Sequence, residues 1–101
     1  MSRSTTYKLA KAIETGNLED VKLFLSQCLL PKQSIDFAFR HACNCGRLNI
    51  IKYLLNQGAD INSFNGNGLY FSMLYGHFHV ARYLISQGAN TDRINVSKVF
   101  K

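Results

Sequence analysis

"GRLNIIKYLLNQGADIN" fills residues 46–62, and thirty residues on, at 76–92, the chain reads "GHFHVARYLISQGANTD". Both phrases open on glycine, run through apolar residues at helical spacing, and close on Gly-Ala and a short polar residue. A fainter copy starts at Gly16, so Gly16, Gly46 and Gly76 fall at equal intervals of 30. After each glycine the apolar positions recur as Leu18, Val21, Phe24 and Leu25, as Leu48, Ile51, Leu54 and Leu55, and as Phe78, Ala81, Leu84 and Ile85. That spacing predicts a one-sided helix in each copy. Gly58 and Gly88 follow the last apolar pair by three residues, where a left-handed cap is cheapest for a residue without Cβ.

A shorter apolar segment precedes each repeat glycine: "YKLAKAIET", "FAFRHACNC" and "LYFSMLY". These read as the first helix of a pair. Their inward residues align as columns: Leu9 with Phe39 and Leu69, Ala12 with Ala42 and Ser72, Ile13 with Cys43 and Met73. A lone helix pair cannot bury its apolar face, whereas stacked copies build a continuous core, and about three are needed for stability.

The two later phrases, with their Gly-Ala-Asp and Gly-Ala-Asn endings, resemble the second-helix signature of ankyrin repeats over roughly residues 7–96. The resemblance implies an all-α solenoid of about three helix-turn-helix repeats with short turns and a partial fourth. It also implies a non-enzymatic protein-binding module. Two features depart from the family pattern. The repeat is 30 residues where about 33 is usual, and Asn67-Gly68-Leu69-Tyr70 and Phe37-Ala38-Phe39-Arg40 replace the Thr-Pro-Leu-His opening. This short form is similar to the ankyrin repeats of large DNA viruses and, less distinctively, of intracellular bacteria, which would make a host protein the target. The expected organisation is a flexible segment over 1–6 and one domain over 7–101. Its repeats run at about 7–36, 37–66 and 67–96, followed by a truncated tail. Copy one, with Cys28-Leu29-Leu30-Pro31 in place of Gly-Ala-Asp, is expected to act as an N-terminal cap, with Asp20 facing water where Ile50 and Val80 stand in later copies.

A chain of 101 residues with 47% hydrophobic content suits one domain. Lys52 interrupts "IIKYLL" and Ser72 interrupts "LYFSMLY", so no stretch reaches the ~18 apolar residues of a membrane helix, and no membrane partner is expected. The polar opening "MSRSTTYK" lacks a secretory apolar core, and Cys28, Cys43 and Cys45 are an odd, small set. Reduced thiols and a cytoplasmic or nuclear address are expected, in the host cell if the origin is viral. The net charge of +6 lies in residues 21–101, because Arg3, Lys8 and Lys11 balance Glu14, Glu19 and Asp20. It includes Lys22, Lys52 and Arg82 at 30-residue spacing, a basic face compatible with nucleic acid. Helix pairs stack about 10 Å apart, so this column would meet few phosphates and bind weakly without regard to sequence.

Catalytic signals are absent from the sequence: there is no nucleophile elbow, phosphate-binding glycine loop or paired carboxylate set, and "GNG" at 66–68 reads as a turn. In "HACNC", His41 and Cys45 share a helical face while Cys43 points away into the core column. Two ligands fall short of a zinc site, so neither metal nor cofactor is expected, and a metal-dependent enzyme ranks last among the alternatives. His77 and His79 flank the turn into a second helix, where a structural role is expected.

What remains is surface. The outward first-helix positions are Lys11, His41 and Phe71, then Glu14, Asn44 and Leu74, then Thr15, Cys45 and Tyr75. Copy three turns these positions apolar, and Phe64 precedes them. Six of the chain's twelve aromatics fall between residues 64 and 83, of which Phe78 reads as core because it replaces Leu18 and Leu48. Exposed aromatics are typical partner anchors. The expected partner site is therefore Phe64, Phe71, Leu74 and Tyr75, with His41 and Asn44, on the concave side of repeats two and three. The small size favours masking of the target over recruitment. The tail "TDRINVSKVFK" continues the register, with Ile94 in the role of Phe64, Val99 of Leu69 and Phe100 of Tyr70. It is expected to cover part of the last flank as a turn and a strand-like segment, with Lys98 and Lys101 in water. Part of the flank of Val80, Ala81 and Met73 would remain bare for a partner or for end-to-end self-association, the equal alternative being a well-fitted tail and a stable monomer.

Overall fold

The structure, a computed structural model, describes residues 3–27 and 32–99, with side chains from residue 7 onward. Six α-helices follow one another as α1 (Arg3–Thr15), α2 (Leu18–Gln27), α3 (Lys32–Cys45), α4 (Leu48–Asn56), α5 (Ser63–Leu74) and α6 (Phe78–Ser86), ahead of a 3-10 turn at Val96–Lys98. Each odd-numbered helix pairs with its successor, and α1, α3 and α5 pack in a row. The molecule is accordingly elongated, 41 × 22 × 20 Å. It is an all-α solenoid of three helix pairs.

Each first helix ends in the same turn. The amide of the repeat glycine donates to the carbonyl three residues back, and the next amide reaches five residues back: Asn17 to Ala12 (2.9 Å), Arg47 to Ala42 (3.0 Å), His77 to Ser72 (2.7 Å). This double bond pattern satisfies orphan carbonyls and needs a left-handed residue at the glycine; Gly46 has φ +72°. Gly58 and Gly88 close α4 and α6 the same way, with φ of +100° and +92°, as their spacing predicts.

The core follows the columns. Leu9, Phe39 and Leu69 are buried, as are Ala12, Ala42 and Ser72. The small column lets helices approach closely, and the Ser72 hydroxyl donates to the Gly68 carbonyl at 2.7 Å, so no polar hydrogen is orphaned there. Ile13 and Cys43 are buried, whereas Met73 is half-buried at the end of the row. Asp20 is exposed where Ile50 and Val80 are 1% and 0% exposed, so this position faces the preceding helix pair.

Four expectations change. Helix α1 begins at Arg3, inside the segment 1–6 expected ahead of the domain. Helix α3 begins at Lys32, so the boundary at 36/37 falls inside it. Val80 and Ala81 are wholly buried and form no bare flank: Val80 stands on the side toward the preceding pair, where Asp20 of the first copy is exposed, and Ala81 lies in the core column of Val21 and Ile51. Finally, the tail makes a turn and a 3-10 segment with no strand among its described residues. Val99 is buried as Leu69 is, and Lys98 is exposed. The cap residues Cys28–Pro31, and Phe100 and Lys101, lie outside the described residues.

Candidate functional site

Helix α5 carries the aromatic cluster. Phe71 and Tyr75, four residues apart on one face, stack with ring centroids 5.8 Å apart and planes 19° apart. Phe71 is half-buried, with Tyr70 5.3 Å to its side, while Tyr75 is 56% exposed. Tyr75 also lies 6.5 Å from the His77 ring. Two of the expected anchors thus form one surface.

Leu74 belongs elsewhere. With Tyr70, Met73 and Phe78 of the third helix pair, and Arg93, Ile94, Asn95 and Lys98 of the tail, it lines a shallow depression of about 340 Å³ on the last flank. Phe78 is 40% exposed, which corrects its reading as a core residue: Leu18 and Leu48 in the same register are half-buried against the core and have a further helix pair after them, whereas only the tail follows here. The apolar flank is therefore built of Met73, Leu74 and Phe78.

Phe64 stands apart from both groups. The segment Phe64-Asn65-Gly66 is left-handed at three successive residues (φ 54°, 57° and 76°), which kinks α5 near its start. Asn and Gly tolerate this region, but a phenylalanine there is strained. The Arg93 guanidinium braces the turn from the tail side, donating to the Asn65 carbonyl (2.8 Å) and to Asn67 Oδ1 (2.6 Å) while lying over the Tyr70 ring. On the other side the Phe64 ring meets Phe37 edge-on at 6.5 Å, and the Arg40 guanidinium lies 4.5 Å from Phe64 and 4.8 Å from Phe37. Arg40 and Phe37 are absent from the residues expected from sequence. Their i, i+3 spacing on α3 is the one signal that could have paired them.

Further along α3, His41 Nε2 sits 3.3 Å from Glu14 Oε1 of the previous repeat, within ion-pair range but without hydrogen-bond geometry. Asn44 serves the backbone: His77 Nε2 lies 2.9 Å from its carbonyl oxygen, and its own Oδ1 is buried with no hydrogen-bond partner among the described residues. Between α1 and α3 a groove of about 340 Å³ runs past Leu9, Ile13, Phe37 and Ala38, with Gln33, Ser34 and His41 also in its lining, and the surface it offers is chiefly apolar.

The basic column has a local explanation. Lys22 lies 5.6 Å from the centre of the Tyr53 ring and Lys52 lies 5.0 Å from that of Tyr83, each reaching one repeat forward, and Lys22 also approaches Glu19 at 3.9 Å. Arg82 continues the column and is exposed. Burial pushes the Cys43 thiol up to about 12, against a smaller opposing effect of Ser72. The Cys45 thiol is also raised, by burial and then by the Glu14 carboxylate. Both are held as neutral thiols, poor metal ligands and poor nucleophiles. Among the described residues no three His, Cys, Asp or Glu side chains converge, and no helix is long and apolar enough to cross a membrane.

The helix pairs, their shared turns and the stacked columns agree with comparison against known families: the family model described as ankyrin repeats, in three copies, matches residues 9–95. The chain belongs to the ankyrin-repeat family. Ankyrin repeats are in general protein–protein interaction modules without catalytic activity. No curated protein matches the chain. Within this ankyrin array the histidine after the repeat glycine is structural, as expected. His77 binds the Asn44 carbonyl of the preceding repeat, and Arg47, thirty residues earlier, donates in the same way to the carbonyl of Glu14. The ankyrin turns are tied on their other side by Asp60 N–H to Asp36 Oδ1 (2.7 Å) and Asn90 N–H to Asn62 Oδ1 (2.8 Å).

Proposed function

We propose that the chain holds another protein against the concave, first-helix side of repeats two and three, with the Phe71–Tyr75 stack as the central anchor. The observation that carries this reading is the stack itself. Two aromatic rings, one of them more than half exposed, stand on the row of first helices where copies one and two carry lysine, histidine, threonine and cysteine. Aromatic rings offer large contact area at small conformational cost, which is why they dominate interface energetics. Leu74 on the last flank and Phe64 beside Phe37 and Arg40 are further apolar side chains of the same repeat, separate from the stack, and His41 and Asn44 stand on α3 of the repeat before.

Similarity to the short repeats of large DNA viruses extends the reading to a host protein, masked by occupation of its surface inside the host cytoplasm or nucleus. The basic face supports the alternative, nucleic-acid binding, only weakly, because Lys22 and Lys52 already lie over tyrosine rings. The deciding experiment is affinity capture from cell extract with the wild-type chain and with Phe71→Ala/Tyr75→Ala. Loss of the captured protein from the double variant, with its thermal melt retained, supports the assignment; unchanged capture refutes it.

A further inference from the structure

Arg40 is a cation without an anion among the described residues. Its guanidinium sits in the corner formed by the edge-on rings of Phe37 and Phe64, 4.8 and 4.5 Å from their centres, and both rings are exposed (49% and 42%). No carboxylate among the described residues is within ion-pair range of it. Asp36, one helical turn away, is occupied by Lys32 Nζ at 3.5 Å and by the Asp60 amide at 2.7 Å, and Glu14 lies against His41. The strained backbone at Phe64, φ 54°, is what brings the second ring over this guanidinium. A phenylalanine kept in the left-handed region where glycine would sit at ease points to a use for its side chain. Phe37 also lines the apolar groove between α1 and α3, so the flat cation and the groove form one continuous surface.

We propose that this surface takes an extended segment of a partner protein in which a carboxylate stands beside an aliphatic side chain. The carboxylate meets Arg40, whose planar donors are pre-oriented by the two rings, and the aliphatic group enters the groove against Leu9, Ile13 and Ala38. The choice of occupant follows from charge and lining. The protein carries a net +6, Arg40 has no carboxylate partner among the described residues, and the groove offers phosphates no lysine or arginine in its lining, where His41 already faces Glu14. This inference rests on the protein-binding reading above but concerns a different patch, and it specifies the chemistry of what binds.

The test is selection of a random 12-residue peptide library on the wild-type chain, followed by amide-shift mapping and affinity measurement. Enriched peptides should carry Asp or Glu next to Leu, Ile or Val, and should shift the amides of Phe37, Arg40 and Phe64. They should weaken at least about tenfold on Arg40→Gln, the worth of one charge-assisted hydrogen bond. Phe64→Gly serves as a second variant. It removes the ring while relieving the backbone, so it should fold and yet bind about fivefold or more weakly. Peptides that map to Phe71 and Tyr75, or that are indifferent to both substitutions, overturn this inference and leave the protein-binding reading intact. Failure to enrich any peptide also overturns it, and the capture experiment with Phe71→Ala/Tyr75→Ala then decides the broader reading separately. A 12-nucleotide single strand that shifts the same amides and binds more tightly than the peptides overturns the choice of occupant.

Discussion

His77 and Gly46 belong to adjacent repeats and fit only as a pair: a Cβ added to Gly46 would lie 2.6 Å from Nδ1 of the His77 ring, whose Nε2 binds the Asn44 carbonyl. Gly46→Ala therefore combines a left-handed alanine, costing about 1–2 kcal/mol, with a clash against a ring that cannot move without giving up its bond. His77→Ala alone should cost about 1 kcal/mol and lower Tm by about 4–8 °C. In the double variant the clash is gone, so the total should fall short of the sum by about 1 kcal/mol or more. Additive losses in urea melts would show that the ring has room to spare.

Cys43 sets an alkaline limit. Its thiol is raised from 9.0 to about 12 by burial, so the folded chain keeps a proton that the unfolded chain releases. Stability from this group is intact below about pH 9 and declines as pH rises toward 12, at up to about 1.4 kcal/mol per unit. Urea midpoints between pH 8 and 10.5 should fall more steeply for wild type than for Cys43→Ala, the tyrosines and lysines being common to both. Parallel curves would place a water beside the thiol and defeat the argument.

Lys52 and Tyr83 offer a cleaner test of the basic column. If the lysine is held by the ring, a double-mutant cycle of Lys52→Gln and Tyr83→Leu should give a coupling of about 0.5 kcal/mol. DNA retention, if any, should vanish steeply with added salt, as expected for a few phosphate contacts. Zero coupling together with tight, salt-resistant DNA binding would restore the nucleic-acid reading.

Val99 closes the last repeat. It is 4% exposed in the column of Leu69, and the Lys98 that precedes it lines the flank depression with the exposed Leu74 and Phe78. Val99→Asp should lower stability by about 2 kcal/mol or more. It should also raise the mass seen by light scattering at high concentration, as the flank becomes free to stack on a second copy. Deleting residues 94–101 should act in the same direction. A shortened chain that remains strictly monomeric would show that the flank is not adhesive.

The repeat made the core legible. Leu9, Phe39 and Leu69 could be assigned because thirty-residue comparison finds them three times, and a side chain buried by identical neighbours behaves identically. The same comparison failed at Phe78, since equal register does not mean equal surroundings where a turn replaces the next helix pair. Phe71 and Tyr75 were found together because i, i+4 spacing on a helix fixes their proximity. Phe64 falls outside that spacing: its backbone hand, which only the Asn65-Gly66 pair hints at, turns it toward Arg40. Arg40 itself was invisible because its partners come from two elements, and only their meeting in space makes it a site.

The bonds from Arg47 to Glu14 and from His77 to Asn44 run one way, each later repeat gripping the end of the one before. They also differ in the room they need, since a Cβ at Gly16 would stand 3.4 Å from the Arg47 guanidinium, while one at Gly46 would collide with the imidazole. Neighbouring copies are thus mated by an adjacency rule. A histidine-bearing copy can follow only a copy whose turn is glycine, whereas an arginine-bearing copy meets its glycine chiefly as a demand of backbone hand. Duplication or shuffling of these units in evolution, or their reordering by hand, is constrained at the junctions more than within the helices, and a swap of Arg47 for histidine would transfer the stricter requirement to Gly16.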